Sequence, residues 1–353
     1  MVTDAERMLA GTRGRRLCLE YVRLSDPALS EAVFWLGYRA APQNSTIFAI
    51  GGSVDDALAE GRTHSPERLA AGIRSLDLST ARAERIREAL RTAVDTARYW
   101  QEPDGDDLVA YHPEVRHALG PVSEVVLAAP AAAGWRSSCA PNQWAVDWRD
   151  PDVPAREPSG SAATLAHWRT AVRDEEERAA RERPADVRAR WSGTWWSRPL
   201  GLLQSRGAIL DALELVEDSS GWERAVVTPV RGIGRVYEIH GPEDWARLCR
   251  QYPVEVTASR RHDWFRITGW EGRWLIPDWL RIAEEWDAVH LSTFGYLTAA
   301  ATLIPIDGEY ASVIGGWAPD LTIRLRDGAF QVLPAEASEW TLDDGAWGSA
   351  LTR

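Results

Sequence analysis

Lysine is missing altogether: all 40 basic residues of the 353-residue chain are arginine. That absence removes whole reaction classes. Without lysine there is no Schiff base to a carbonyl substrate, no pyridoxal phosphate anchor, no P-loop lysine and no protein-kinase lysine. A bound anion has to be held by arginine, a backbone nest or a helix N-terminus. With abundant Ala, Arg, Gly and Pro, the absence fits the codon bias of a GC-rich genome.

Cysteine is scarce. Cys18, Cys139 and Cys249 lie far apart, without metal-ligand spacing, and the odd count argues against a disulfide framework. They read as small buried hydrophobes. The seven histidines, His64, His112, His117, His167, His240, His262 and His290, form no i, i+4 pair and no HExxH motif. No metal site is therefore expected, unless His240, His262, His290 and a carboxylate meet across the fold. No G-x-S-x-G elbow occurs. "RGIGRVY" lacks the third glycine of a dinucleotide fingerprint and leads into a strand. No motif specifies a cofactor. "MVTDAERMLAGTRGRR" has no apolar core of a signal peptide, and no apolar run reaches membrane-spanning length. A cytoplasmic protein without a membrane partner is the expectation. The formal net charge of -12 argues against nucleic acid as a partner.

What is present suits a globular chain, 45% hydrophobic and 26% charged. Of 19 tryptophans, only Trp35 and Trp100 precede residue 130, so the two parts of the chain should differ in structure. The expected class is α+β: a mostly helical N-terminal domain (1–148), a Pro- and charge-rich linker (149–161), a charged connecting helix (162–190) and a Trp-rich domain (191–353). That last domain should be a mixed or antiparallel sheet with short helices.

Local signals fill in this plan. Thr3 and Glu6 make a capping box. "SDPALSEAVFWLGYRA" has a helical apolar stripe. "NSTIFAIGGSVDDALAEG" reads as a strand from Thr46 to Ile50, a Gly51-Gly52 turn, then a helix capped by Ser53 and Asp56. Pro66 opens one helix, and Ser79 or Thr80 caps the next. The charge run after Trp168 reads as a solvated helix face. "LELVEDSSGWERAVVTPV" reads as two strands around a turn. "RVYEIH", "VEVT" and "DAVHLS" read as strands, and "GPEDWARLCRQY", "PDWLRIAEEW" and "FGYLTAAATL" as helices. "WFRITGWEGRWLI" reads as a hairpin around Gly269 to Gly272, and "LTIRLRDGAFQVL" as one at Asp327-Gly328.

Chemistry gathers at strand ends. His240 closes "RVYEIH"; Arg260, Arg261, His262 and Asp263 follow "VEVT"; His290, Ser292 and Thr293 close "DAVHLS". Strand ends leading into helices converge on one side of a sheet. His262, His290 and Ser292 are the candidate catalytic residues, and Arg235, His240, Arg260 and Arg261 the candidate anion- or cofactor-binding ones. Together they suit an enzyme acting on a nucleotide-like or other anionic small molecule. The opposing reading makes Arg260 and Arg261 a solvated rim and His290 a satisfied core histidine. The alternative function is a non-catalytic scaffold whose N-terminal helices meet a protein partner. Tryptophans such as Trp264, Trp270, Trp274, Trp279 and Trp286 read as core, with an aromatic or carbohydrate platform as the minority reading.

"RVYEIHGPEDWARLCRQYPVEVTASRRHDW", "AVHLSTFGYLTAA" and "GGWAPDLTIRL" resemble proteins of high-GC actinobacteria, a resemblance that implies no activity. Arg235 in "GRVYEI", Ser292-Thr293 in "HLSTF" and Glu309, Glu336 or Glu339 resemble, in their order, the ADP-ribosyltransferase fold. That resemblance implies NAD as substrate. The arginine would grip the pyrophosphate, the serine would set the ribose, and a glutamate would steady the oxocarbenium-like centre. The nearest approach to that family's E-x-E or Q-x-E turn at the late strand is "EASEW".

Overall fold

The computed structural model describes residues 2–42, 53, 58–59, 61–79, 81–148, 160–219, 221–232 and 234–349. The expected strand from Thr46 to Ile50, the Gly51-Gly52 turn, Asp56 and nearly all of the linker lie outside the described residues. The chain forms two compact units: Met1–Thr96 with Glu102–Gly134, and Ala97–Gln101 with Trp135–Arg353. The helical part therefore ends at Gly134 rather than at 148. The stretch after Trp135 belongs to the second unit because its strand pairs there.

The first unit is helical: α1 (Asp4–Ala10), α2 (Thr12–Ser25), α3 (Pro27–Ala40), α4 (Pro66–Arg74), α5 (Ala83–Asp95), α6 (Gly105–Tyr111), α7 (Pro113–Ala118) and α8 (Gly120–Ala128). The Thr3–Glu6 capping box is present, and Ser65 with Pro66 opens α4. The cap expected at Ser79 or Thr80 falls elsewhere, with Arg82 at the N-cap of α5 and no side-chain cap bond there. The centre of the unit is α2, buried continuously from Arg13 to Val22. Leu17, Cys18, Tyr21 and Val22 recur at helical spacing, and Arg13, Arg15 and Arg16 are buried beside them. Arg16 pairs with Glu20, Asp104, Asp106 and Asp107. Gly14 permits the close approach of α1, since a Cβ there would meet the Met8 carbonyl oxygen at 2.2 Å.

The second unit runs β1 (Asn142–Asp147), α9 (Ser161–Glu182), β2 (Gln204–Ser205), α10 (Ile209–Glu214), β3 (Arg224–Arg231), β4 (Val236–Ile239), α11 (Pro242–Gln251), β5 (Pro253–Glu255), α12 (Thr257–Thr268), β6 (Arg273–Pro277), α13 (Trp279–Glu285), β7 (Ala288–Leu291), α14 (Thr293–Ala299), β8 (Ile304–Pro305), β9 (Tyr310–Ser312), β10 (Leu321–Arg324), β11 (Gln331–Val332), β12 (Ser338–Asp343) and β13 (Ala346–Ser349). The class is α+β, as expected. The strands form an antiparallel sheet β1-β3-β12-β13 with β11 also on β3, a mixed sheet β2-β10-β7-β4, and a mixed sheet β5-β6-β9-β8. Trp245, Trp264, Trp274, Trp279 and Trp317 are fully buried among them.

Three expectations fail. The hairpin around Gly269 is instead the C-terminus of α12: Gly269, at φ +70, is the left-handed residue that ends a helix, and only β6 follows. "LELVEDSSGWERAVVTPV" begins in the last two residues of α10 and holds one strand, β3, not two. Asp327-Gly328 joins no hairpin, since β10 pairs with β2 and β7 while β11 pairs with β3 in a different sheet.

Candidate functional site

The expected Arg/His cluster does not sit at a strand end. Arg260, Arg261, His262 and Asp263 lie on α12, and the structure neutralises most of them internally. Arg260, 1% exposed, donates to Glu175 at 2.9 Å. Glu176 receives the Ala258 and Ser259 backbone N–H groups and the Ser259 hydroxyl, capping the helix N-terminus from another helix. Both glutamates come from the charge run on α9, so that run is only partly a solvated face. Arg261 donates to the Ala185 carbonyl at 2.9 Å. Asp263 accepts from Ser192, Gly193 and Arg266. His262 lies against Trp191, with Nε2 at 3.1 Å from the Asp186 carbonyl, and burial holds its pKa below the usual range.

Of the other candidates, His290 and Ser292 are equally committed, whereas the side chains of Arg235 and His240 are not. His290 lies in the middle of β7, not at its end. It is wholly buried, with Nδ1 at 2.6 Å from Glu238 and Nε2 at 3.1 Å from Asp320. Two carboxylates outweigh burial and raise its pKa to about 9, so it is an imidazolium at neutral pH with no nitrogen left for acid–base work. The same carboxylates fasten the sheet's surroundings, because Glu238 accepts from Cys139 N and Asp320 from Gly207 N. Ser292 caps α14, accepting from Gly295 N and donating to the Ile239 carbonyl. Arg235 is exposed, with its backbone N–H on Asp287. His240 is half-buried, with Nδ1 unpartnered and its backbone N–H on Asp244. His262 and His290 thus have separate sets of partners, and the His240 ring has no hydrogen-bond partner at Nδ1. Among the described residues no group of His, Cys, Asp and Glu is arranged to hold a metal ion.

A different place in this unit is open: a cleft of about 340 Å³ walled by aromatic rings. It is built from irregular segments. Residues 194–198, "TWWSR", are fastened to the backbone at Gly315 by Ser197, whose N–H and hydroxyl both donate to the Gly315 carbonyl. Buried tryptophans hold the same segment from below: Trp264 Nε1 donates to the Trp195 carbonyl and Trp279 Nε1 to the Ser197 carbonyl, each at 3.1 Å. So fixed, Trp195 stacks on Tyr99 (5.3 Å, 12°) and on Trp196 (4.1 Å, 20°). Gly316 makes room for this stack. Its φ is +70, and a Cβ there would lie 2.1 Å from the Trp196 ring. Trp148 and Trp222 supply a second pair at 5.2 Å, with Trp148 braced on Trp347. Trp222 is 45% exposed.

Charge in the cleft is balanced. Arg198 and Arg206 line it with Glu217 and Asp218. Arg198 lies 5.1 Å from the Trp196 ring centroid and donates to the Gly316 carbonyl; burial pulls its pKa down to about 10, still a cation at neutral pH. Arg206 donates to the Asp211 and Leu215 carbonyls, closing the C-terminus of α10. Glu217 accepts from the Tyr99 hydroxyl, and Asp218 pairs with Arg98 at 3.1 Å. Gln204 and Leu321, from the sheet that His290 fastens, line the cleft as well.

Sequence reasoning passed over this cleft because it weighed tryptophans on expected helices and strands. The signal it held was the opposite one: Trp148, Trp195, Trp196 and Trp222 fall on no regular element. Compared with known proteins, the chain matches no family model, no curated protein and no solved structure.

Proposed function

We propose that the C-terminal unit binds a small molecule through a flat, uncharged heteroaromatic ring seated in the tryptophan cleft, a nucleobase or nicotinamide-like ring being the right size. The observation that carries this reading is the contrast within one unit. Trp245, Trp279 and Trp317 are completely buried, whereas Trp195 and Trp196, stacked on the buried Tyr99, and the Trp148–Trp222 pair are partly exposed and line an open cavity. Concave aromatic surface with a few fixed polar groups is what a ligand site requires. Stacking of one base on an aromatic side chain contributes roughly 1–3 kcal/mol and needs no particular edge pattern.

The ring portion of a nucleotide-like ligand fits this reading, and the anionic portion does not drive it. The two lining arginines are offset by two carboxylates, and Arg198 Nε and Arg206 Nη1 already serve backbone carbonyls. Arg260, Arg261, His262 and His290 play no part, because internal partners hold them. ADP-ribosyl transfer gains nothing from the geometry: Ser292 is a buried helix cap and Glu309 pairs with Arg273.

Isothermal titration of the full chain with adenosine, nicotinamide, AMP and glucose tests the reading. Saturable binding of the ring compounds, with little gained from the phosphate of AMP, is expected. Absence of binding by either ring at millimolar concentration, or binding of glucose alone, overturns it.

A further inference from the structure

The N-terminal unit carries a second, independent feature. Helix α2 has four arginines, and three reach carboxylates: Arg13 on Asp107, Arg16 on Glu20, Asp104, Asp106 and Asp107, and Arg23 on Glu20 and Asp106. Arg15 forms no such pair. It is 6% exposed, with Nη1 on the Leu9 and Ala10 carbonyls, Nη2 on the Thr12 hydroxyl and Nε unpartnered. Its guanidinium lies 5.1 Å from the centroid of Tyr111, which is 63% exposed. Leu9 and Tyr111, which Arg15 touches, wall a groove of about 450 Å³ together with Glu6, Pro113, Arg116 and His117. Burial, and after it the neighbouring Arg116, pull the Arg15 pKa down to about 10 against the attraction of Asp107. Arg116 and His117 are exposed. Glu6, the carboxylate of this wall, is held in the capping box by the Thr3 N–H.

A buried cation with no carboxylate in an ion pair, close to a second cation and against an exposed tyrosine ring, is costly in an isolated protein and is relieved by an incoming anion. We propose that this groove binds an organic oxyanion, a phosphate monoester or carboxylate on a compact apolar body. Its headgroup sits on Arg116 close to Arg15, and its body lies against Leu9, Pro113 and Tyr111. The shape argues for this class: a bare inorganic ion would leave the apolar wall uncovered, and a neutral molecule would leave the cations unanswered.

Calorimetric titration with phenyl phosphate, benzoate, inorganic phosphate and benzyl alcohol tests it on the full chain. Phenyl phosphate or benzoate should bind saturably, more tightly than inorganic phosphate, and more weakly as salt rises. Arg116→Gln, at an exposed position where the fold should survive, should weaken that binding by about tenfold or more with an unchanged thermal midpoint. Trp222→Ala should leave it untouched, which separates this groove from the cleft. Unchanged affinity in Arg116→Gln, equal binding of benzyl alcohol, or no binding of either aryl anion at millimolar concentration overturns the proposal.

Discussion

Two groups of tryptophans in the C-terminal unit differ in what their rings touch. Trp245, Trp279 and Trp317 form a closed cluster with centroids 5.4 to 6.3 Å apart, and each indole N–H has an internal acceptor: Ser312, the Ser197 carbonyl and the Leu321 carbonyl. Trp195, Trp196, Trp148 and Trp222 stack in partial exposure around a cavity. Two buried tryptophans, Trp264 and, from the closed cluster, Trp279, fix through their N–H groups the backbone that presents Trp195 and Trp196. One residue type is thus enclosed as packing in one place and lines an open cavity in another.

Mutations in the two groups should separate stability from binding. Trp245→Ala, in the closed cluster, should cost about 3–5 kcal/mol in denaturant unfolding. A loss below about 1 kcal/mol would mean that the cluster does not act as core. The sheet flooring the cleft offers the next test. His290 has its pKa raised from 6.5 to about 9 in the folded state, so its clamp on Glu238 and Asp320 contributes fully below pH 6.5. That contribution fades as pH rises through 9. The wild type should therefore lose up to about 3 kcal/mol across that window. His290→Gln should start less stable and show a flatter profile; parallel profiles would remove the clamp from the account. Gly316→Ala forces a Cβ into a left-handed position against Trp196. It should cost roughly 1–2 kcal/mol and weaken ring binding at the cleft; unchanged unfolding and binding would show that the stack does not depend on that contact. Trp222→Ala, at the rim, should change stability by less than about 1 kcal/mol.

The α+β class, the capping box at Thr3, the Pro66 and Pro242 helix starts and the strand "DAVHLS" were all legible in the sequence, because each rests on neighbours within a few residues. What was not legible depends on distant partners. That helix α2 buries arginines beside its apolar residues was not legible, since apart from Glu20 their carboxylates lie more than 80 residues away. The charge in "TASRRHDW" looked unpaired because Glu175 and Glu176, which answer it, precede it by more than 80 residues. Gly269 fits a hairpin or a helix end equally well, and only the burial of Trp264 beside Trp274 separates the two. The cleft escaped notice because its rings sit on segments without periodicity, where packing and binding read alike.

The most direct measurement is the affinity of a ring ligand, adenosine or nicotinamide, for wild type and Trp222→Ala by calorimetry, with thermal midpoints recorded alongside. The account predicts saturable binding to the wild type, weakened by about tenfold or more in the variant, with the two midpoints nearly equal. Equal affinities in the two proteins would contradict it.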